Sequence, residues 1–198
     1  MSLVFGALLN PSTSGQTAME TLRVVEEDGG RWLAMAVMFF FASLALTLGL
    51  PSVLTLFQRR GRGLGMAGVS IFLVGAIGTC GYAVLMVFFR AMVVADAIKI
   101  DAVTRASQDT TLLWFTYVWI GSFYGGLLVL AIALFRARTV DRWVPTLMVA
   151  FVLLLPVSSH LGRVGSALQV MALAVACTGM AMAAVTGAHE RAVAVPAF

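Results

Sequence analysis

Five apolar runs, none carrying a charged residue, decide what this chain of 198 residues can become. They are Trp32–Phe57, Leu64–Phe89, Leu112–Phe135, Trp143–Ser159 and Val164–Gly187. A helix rises ~1.5 Å per residue and a bilayer's hydrocarbon core is about 30 Å thick, so ~20 residues suffice to cross it. Four of the runs exceed that length, and Trp143–Ser159 is marginal. In lipid every backbone N–H and C=O must find its partner inside the protein, so such runs are expected as helices. They lack the apolar–polar alternation of a barrel strand. Composition agrees: 61% of the residues are hydrophobic and 11% charged, against about 25% charged in soluble domains. One water-soluble core of this size could not enclose so much apolar surface. The expected fold is an all-α integral membrane bundle of five transmembrane helices.

Charge orients that bundle. Arg59, Arg60 and Arg62 crowd the first turn, and Arg136, Arg138 and Arg142 the third. Arg191 follows the last run. Alternation puts these three segments on one side, with the acids Asp141 and Glu190. The other side holds Glu20, Glu26, Glu27, Asp28, Asp96, Asp101 and Asp109. Short loops rich in Lys and Arg stay in the cytoplasm, so the N-terminus is expected outside and the C-terminus inside. Residues 1–31 then form an external segment, 32–187 the bundle and 188–198 a cytoplasmic tail, in the inner membrane of a bacterium. Arginine makes up all but one (Lys99) of the 13 basic residues, which reads as GC-rich coding. The pI near 9.7 does not indicate nucleic acid, because the arginines sit at the ends of apolar runs and form no basic face.

The first ten residues are apolar, too few to cross, and lack the basic start of a signal peptide. Two readings remain for them: a segment dipping into the outer leaflet, or the outer end of a longer first helix in a six-helix protein. Thr17 and Glu20 fit a capping box that opens a short helix ended by Gly29–Gly30. In the main external loop, Asp101, Arg105 and Asp109 recur every four residues, which predicts one charged helical face.

Packing signals outnumber chemical ones. Gly179, Ala183 and Gly187 repeat every four residues in the last run; Gly121 and Gly125 pair in the third; Gly75 and Gly78 lie near one face of the second. Small residues at such spacing let helices approach closely, within one chain or between copies. Trp114, Tyr117, Trp119 and Tyr124 make the outer half of the third run aromatic. Tyr124 lies about 15 Å below Trp114, deeper than an interfacial belt needs, so a ligand pocket is one reading beside a simple girdle. Arg90, Asp96, His160 and Arg163 are all expected on the outer side, where a polar cluster is the best candidate site.

Reactive constellations are scarce. His160 and His189 fall on opposite sides of the expected membrane, so no haem or metal is shared between them. Cys80 and Cys177 lie in spans at heights ~9 Å apart, which disfavours a disulfide. No HExxH, P-loop or GxSxG sequence occurs. No charge stands at mid-depth, where proton relays and ion pathways place one. No catalytic residue, cofactor or metal is expected.

Three segments carry a resemblance: GGRWLAM at 29–35 opening a span, RRGRGLG at 59–65 and RARTVDRW at 136–143. The layout resembles an uncharacterised family of small multi-spanning bacterial inner-membrane proteins. In that family a span precedes the Gly-Arg-Trp segment, which implies a six-helix fold here lacking most of its first helix. The resemblance implies no activity and lends no site residue. The expected function is non-catalytic: an accessory or interaction subunit of a larger membrane assembly, in contact with lipid and with a membrane-protein partner or a second copy. The alternative is a small carrier or receptor for an apolar or lipidic ligand.

Overall fold

A computed structural model describes residues 18–57, 61–98, 100–155 and 162–193. Residues 1–17, Arg59, Arg60, Lys99, His160 and the tail beyond 193 lie outside the described residues, and with them the readings made for residues 1–10 and Thr17. The described chain is all helical, with no strand. In order, the helices are α1 (Ala18–Glu27), α2 (Gly29–Leu54), α3 (Arg62–Val94), α4 (Ile100–Ser107), α5 (Thr110–Ala137), α6 (Trp143–Leu153) and α7 (Gly162–Val193). A 3-10 turn, Thr55–Phe57, extends α2 beyond Pro51.

Among the described residues, four helices are long and apolar enough to cross a membrane: Gly29–Phe57, Arg62–Val94, Thr110–Ala137 and Ala167–Gly187. Between 28% and 39% of each one's most apolar window is buried inside the protein. Large apolar side chains such as Leu48, Ile77, Phe88 and Val185 stand exposed on these helices, a condition that suits lipid better than water. The five-helix expectation is met only in this coarser form, because α6 has 11 residues. Its described length rises ~17 Å, about half the hydrocarbon thickness.

The helix ends follow from local chemistry. Gly61 enters α3 at φ 75°, a left-handed conformation open to glycine. Asp109 caps α5, its carboxylate accepting from the Leu112 N–H at 2.9 Å. That cap corrects the expected single charged face. Asp109 belongs to α5, while Arg105 donates to the Asp101 carbonyl within α4. The break between α1 and α2 falls at Asp28, and Gly29 and Gly30 open α2. In α1, Arg23 donates to Glu27 at 2.7 Å on the exposed face. Its Val25 enters a small core with Trp32, Met35, Ala36 and Met86.

The larger core joins α2, α3, α5, α6 and α7 around Phe72, Leu127, Leu130, Met148 and Leu173. Helices neighbouring in sequence pack together, α3 against α5 most extensively, and α7 returns to α2. Among the described residues, four side-chain hydrogen bonds tie apolar helices together. Ser43 donates to the Ala76 carbonyl, and Trp32 Nε1 to the Met86 carbonyl at 3.0 Å. Trp119 Nε1 donates to Thr79 Oγ1 at 3.2 Å, and Gln169 Nε2 to the Phe151 carbonyl at 2.8 Å. In lipid each is worth about 0.6 kcal/mol on average.

Candidate functional site

The four aromatic candidates on α5 do not converge. Trp114 and Tyr117 point away from the bundle, each 68% exposed. Trp119 instead turns into the α3 interface, where it stacks on Tyr82 at 5.0 Å and hydrogen-bonds Thr79. Tyr124 stacks on Phe151 of α6 at 5.5 Å with planes 18° apart. The rings thus divide between an outward face and two helix–helix interfaces, and they enclose no common pocket.

Of the polar candidates, Arg90 and Asp96 stand apart. The Arg90 side chain packs against Gly29, where a methyl would meet Nε at 3.2 Å. That Nε is buried and has no hydrogen-bond partner. Asp96 is exposed in a turn, at φ 50°. No hydrogen bond or ion pair joins Arg90 to Asp96. Arg163 lies in the first turn of α7, and His160 is outside the described residues. Of the four, only the side chains of Arg90 and Asp96 are described, and these two do not meet. The described residues contain no group of three His, Cys, Asp or Glu able to hold a metal ion. Cys80 and Cys177 are both free.

The glycines sort into two classes. A methyl on Gly75 would strike the Phe123 backbone, and one on Gly78 the Trp119 side chain. On α7, a methyl on Gly179 would come within 2.6 Å of the Trp143 ring and 2.7 Å of Val144. Ala183 packs against the core one turn further on, with Gly187 beyond it in the same helix. Gly121 and Gly125 differ. A Cβ on either meets nothing within 4 Å. Of the two readings for such pairs, within one chain or between copies, the α5 pair shows no packing within the described chain. The close approach on α5 is made by Gly126, where a methyl would lie 2.6 Å from Phe72 Cα. Sequence spacing could not make this choice, because Gly125 and Gly126 are adjacent.

One feature escaped the sequence reading. A cleft of about 460 Å3 runs between α2 and α7. Ala42, Ala45 and Gly49 line one wall, and Ala174, Cys177 and Ala181 the other. Leu130 and Met148 form part of its floor. The signal was present as small residues at helical spacing in the first and last runs. What was missing was that these two runs are neighbours.

At the other end of the chain's hairpins, Arg62, Arg136, Arg138 and Arg142 share one end of the bundle, all four exposed. Comparison of the chain with family models, with curated proteins and with solved structures finds no match.

Proposed function

We propose that the chain is a non-catalytic, multi-pass protein of a bacterial inner membrane, an accessory or interaction subunit that docks α5 onto a helix of a membrane partner or a second copy. The observation that carries this reading is the open Gly121–Gly125 pair. On a helix wheel the two glycines share the outward stripe of α5 with Trp114, Val118 and Ile132. The three flanking side chains are 68%, 54% and 54% exposed. A glycine pair spaced by four forms a shallow notch that lets another helix approach closely. In the same protein, Gly75 and Gly126 show what such a notch does when a helix fills it. The five-helix arrangement, with N-terminus out and C-terminus in, belongs to this reading. So does the resemblance to small multi-spanning inner-membrane proteins. The arginine-rich end is the cytoplasmic one, and the fifth crossing rests on the apolar run from Trp143 to Ser159.

The test is purification from native membranes after mild crosslinking, with the crosslinked chains identified. A stoichiometric membrane-protein partner, or a dimer, is expected for the unaltered chain and lost in Gly121→Ile and Gly125→Ile. Monomer stability should stay unchanged in both variants. A chain that is monomeric in its own membrane, or variants that keep the partner, refute the reading. The carrier alternative gains nothing from Trp119 and Tyr124, whose rings are held in helix contacts.

A further inference from the structure

The α2–α7 cleft is an unfilled space in the wall of an apolar bundle. Its length, its apolar lining and the charge at its end suit a lipid tail. Along α2 it runs from Ala42 to Val53, eleven steps and about 17 Å at the helical rise. The cleft, about 460 Å3 in volume, leaves room for a hydrocarbon chain along that length. Its size also lies in the ~300–1,000 Å3 range of ligand pockets. An extended backbone covers ~3.3–3.6 Å per three bonds, so about 14 bonds span 17 Å. That is the reach of a common membrane acyl chain. The walls are alanines, a glycine and long apolar side chains, and the hydroxyl of Thr178 is turned to its own helix, donating to the Ala174 carbonyl.

The cleft's position suggests the headgroup. It reaches Ser52 and Val53, at the C-terminal end of α2. That is the end of the bundle carrying Arg62, Arg136, Arg138 and Arg142, all exposed and none paired with a described acid. Basic residues at a membrane surface attract anionic lipids.

We infer that the α2–α7 cleft binds one acyl chain of an anionic phospholipid drawn from the leaflet on the arginine-bearing side. The inference rests on the membrane placement proposed above but not on the docking role of α5. The cleft meets α5 only at Leu127 and Leu130, which are buried, whereas Gly121 and Gly125 lie on its open stripe, so failure of one test leaves the other intact.

The experiment uses the full chain in nanodiscs of mixed phosphatidylglycerol and phosphatidylcholine. One lipid at a time carries a photoactivatable diazirine on a sixteen-carbon tail. Phosphatidylglycerol should label residues 42–53 and 173–184 preferentially, and severalfold more than phosphatidylcholine. Native mass spectrometry should find one phosphatidylglycerol retained per chain. Gly49→Leu combined with Ala181→Leu fills the cleft and should lower retention and labelling at least tenfold. Gly81→Leu, in open space on α3, should lower neither. Three results overturn the inference: labelling spread evenly around the bundle, equal labelling by the two lipids, or unchanged retention in the filled variant. Mapping on the unaltered chain decides the matter even if the filled variant fails to fold.

Discussion

Replacing Gly75 by alanine should separate α3 from α5 and measurably weaken the protein. The added methyl would fall on the Phe123 backbone nitrogen and Cα, and 2.7 Å from its Cβ. Carbon atoms pack comfortably at ~3.5–4.0 Å, so the helices must part by about 1 Å there. The obstacle is backbone, which cannot swing aside as a side chain can. Overpacking of this kind costs about 1–3 kcal/mol. Alanine's better helix propensity offsets roughly 0.8–1 kcal/mol, leaving a net loss of up to about 2 kcal/mol against the parent and about 1–3 kcal/mol against Gly81→Ala, which gains the propensity without the collision. Gly126→Ala makes the reciprocal collision, 2.6 Å from Phe72 Cα and 2.8 Å from Phe72 Cβ. Phe72 and Phe123 pack ring to ring at 5.0 Å between these two glycines. Once one methyl has forced the helices apart, the second has room. The double variant should therefore lose less than the sum of the two singles. Gly81→Ala is the control, since its methyl meets no atom within 4 Å. Equilibrium unfolding in mixed micelles with increasing SDS, followed by tryptophan fluorescence, reads all four proteins. If Gly75→Ala unfolds at the same SDS fraction as Gly81→Ala, the reasoning from glycine contacts is wrong.

Two further outcomes follow from the structure. Gln169→Leu should destabilise by about 1–2 kcal/mol, more than the ~0.6 kcal/mol expected for Ser43→Ala. Gln169 serves the Phe151 carbonyl, one of the last four of α6, which have no partner inside the helix. Equal losses in the same unfolding assay would remove that distinction. Reporters fused after Arg138 should be cytoplasmic and those after Gln108 external; the reverse pattern would overturn the proposed orientation.

The run lengths made the helices legible. Trp32–Phe57, Leu64–Phe89 and Leu112–Phe135 each sit inside an observed helix or its 3-10 extension. The real elements outrun them, α3 by five residues at its C-terminal end, because helical hydrogen bonding does not stop where the side chains cease to be apolar. Pro145 lies in the first turn of α6, as its missing N–H permits. Asp109 shows the limit of periodicity: its spacing from Arg105 fits a helix, yet its carboxylate is more useful to the free N–H groups opening α5.

The candidate site was much less legible. Spacing of four told that Gly121 and Gly125 share a stripe of α5, but not whether another helix lies over it. Trp119 and Tyr124 are aromatic residues of one run that meet different neighbours, Tyr82 on α3 and Phe151 on α6. The cleft needed α2 and α7 side by side, although more than a hundred residues separate them. The sequence by itself determined the chain's solvent and its helical form, since burying an unpaired peptide group in lipid costs the same in any fold. Only the tertiary structure decided which faces are closed and which remain open. That choice depends on how neighbouring helices pack, and packing is a property of pairs of surfaces that no single run contains.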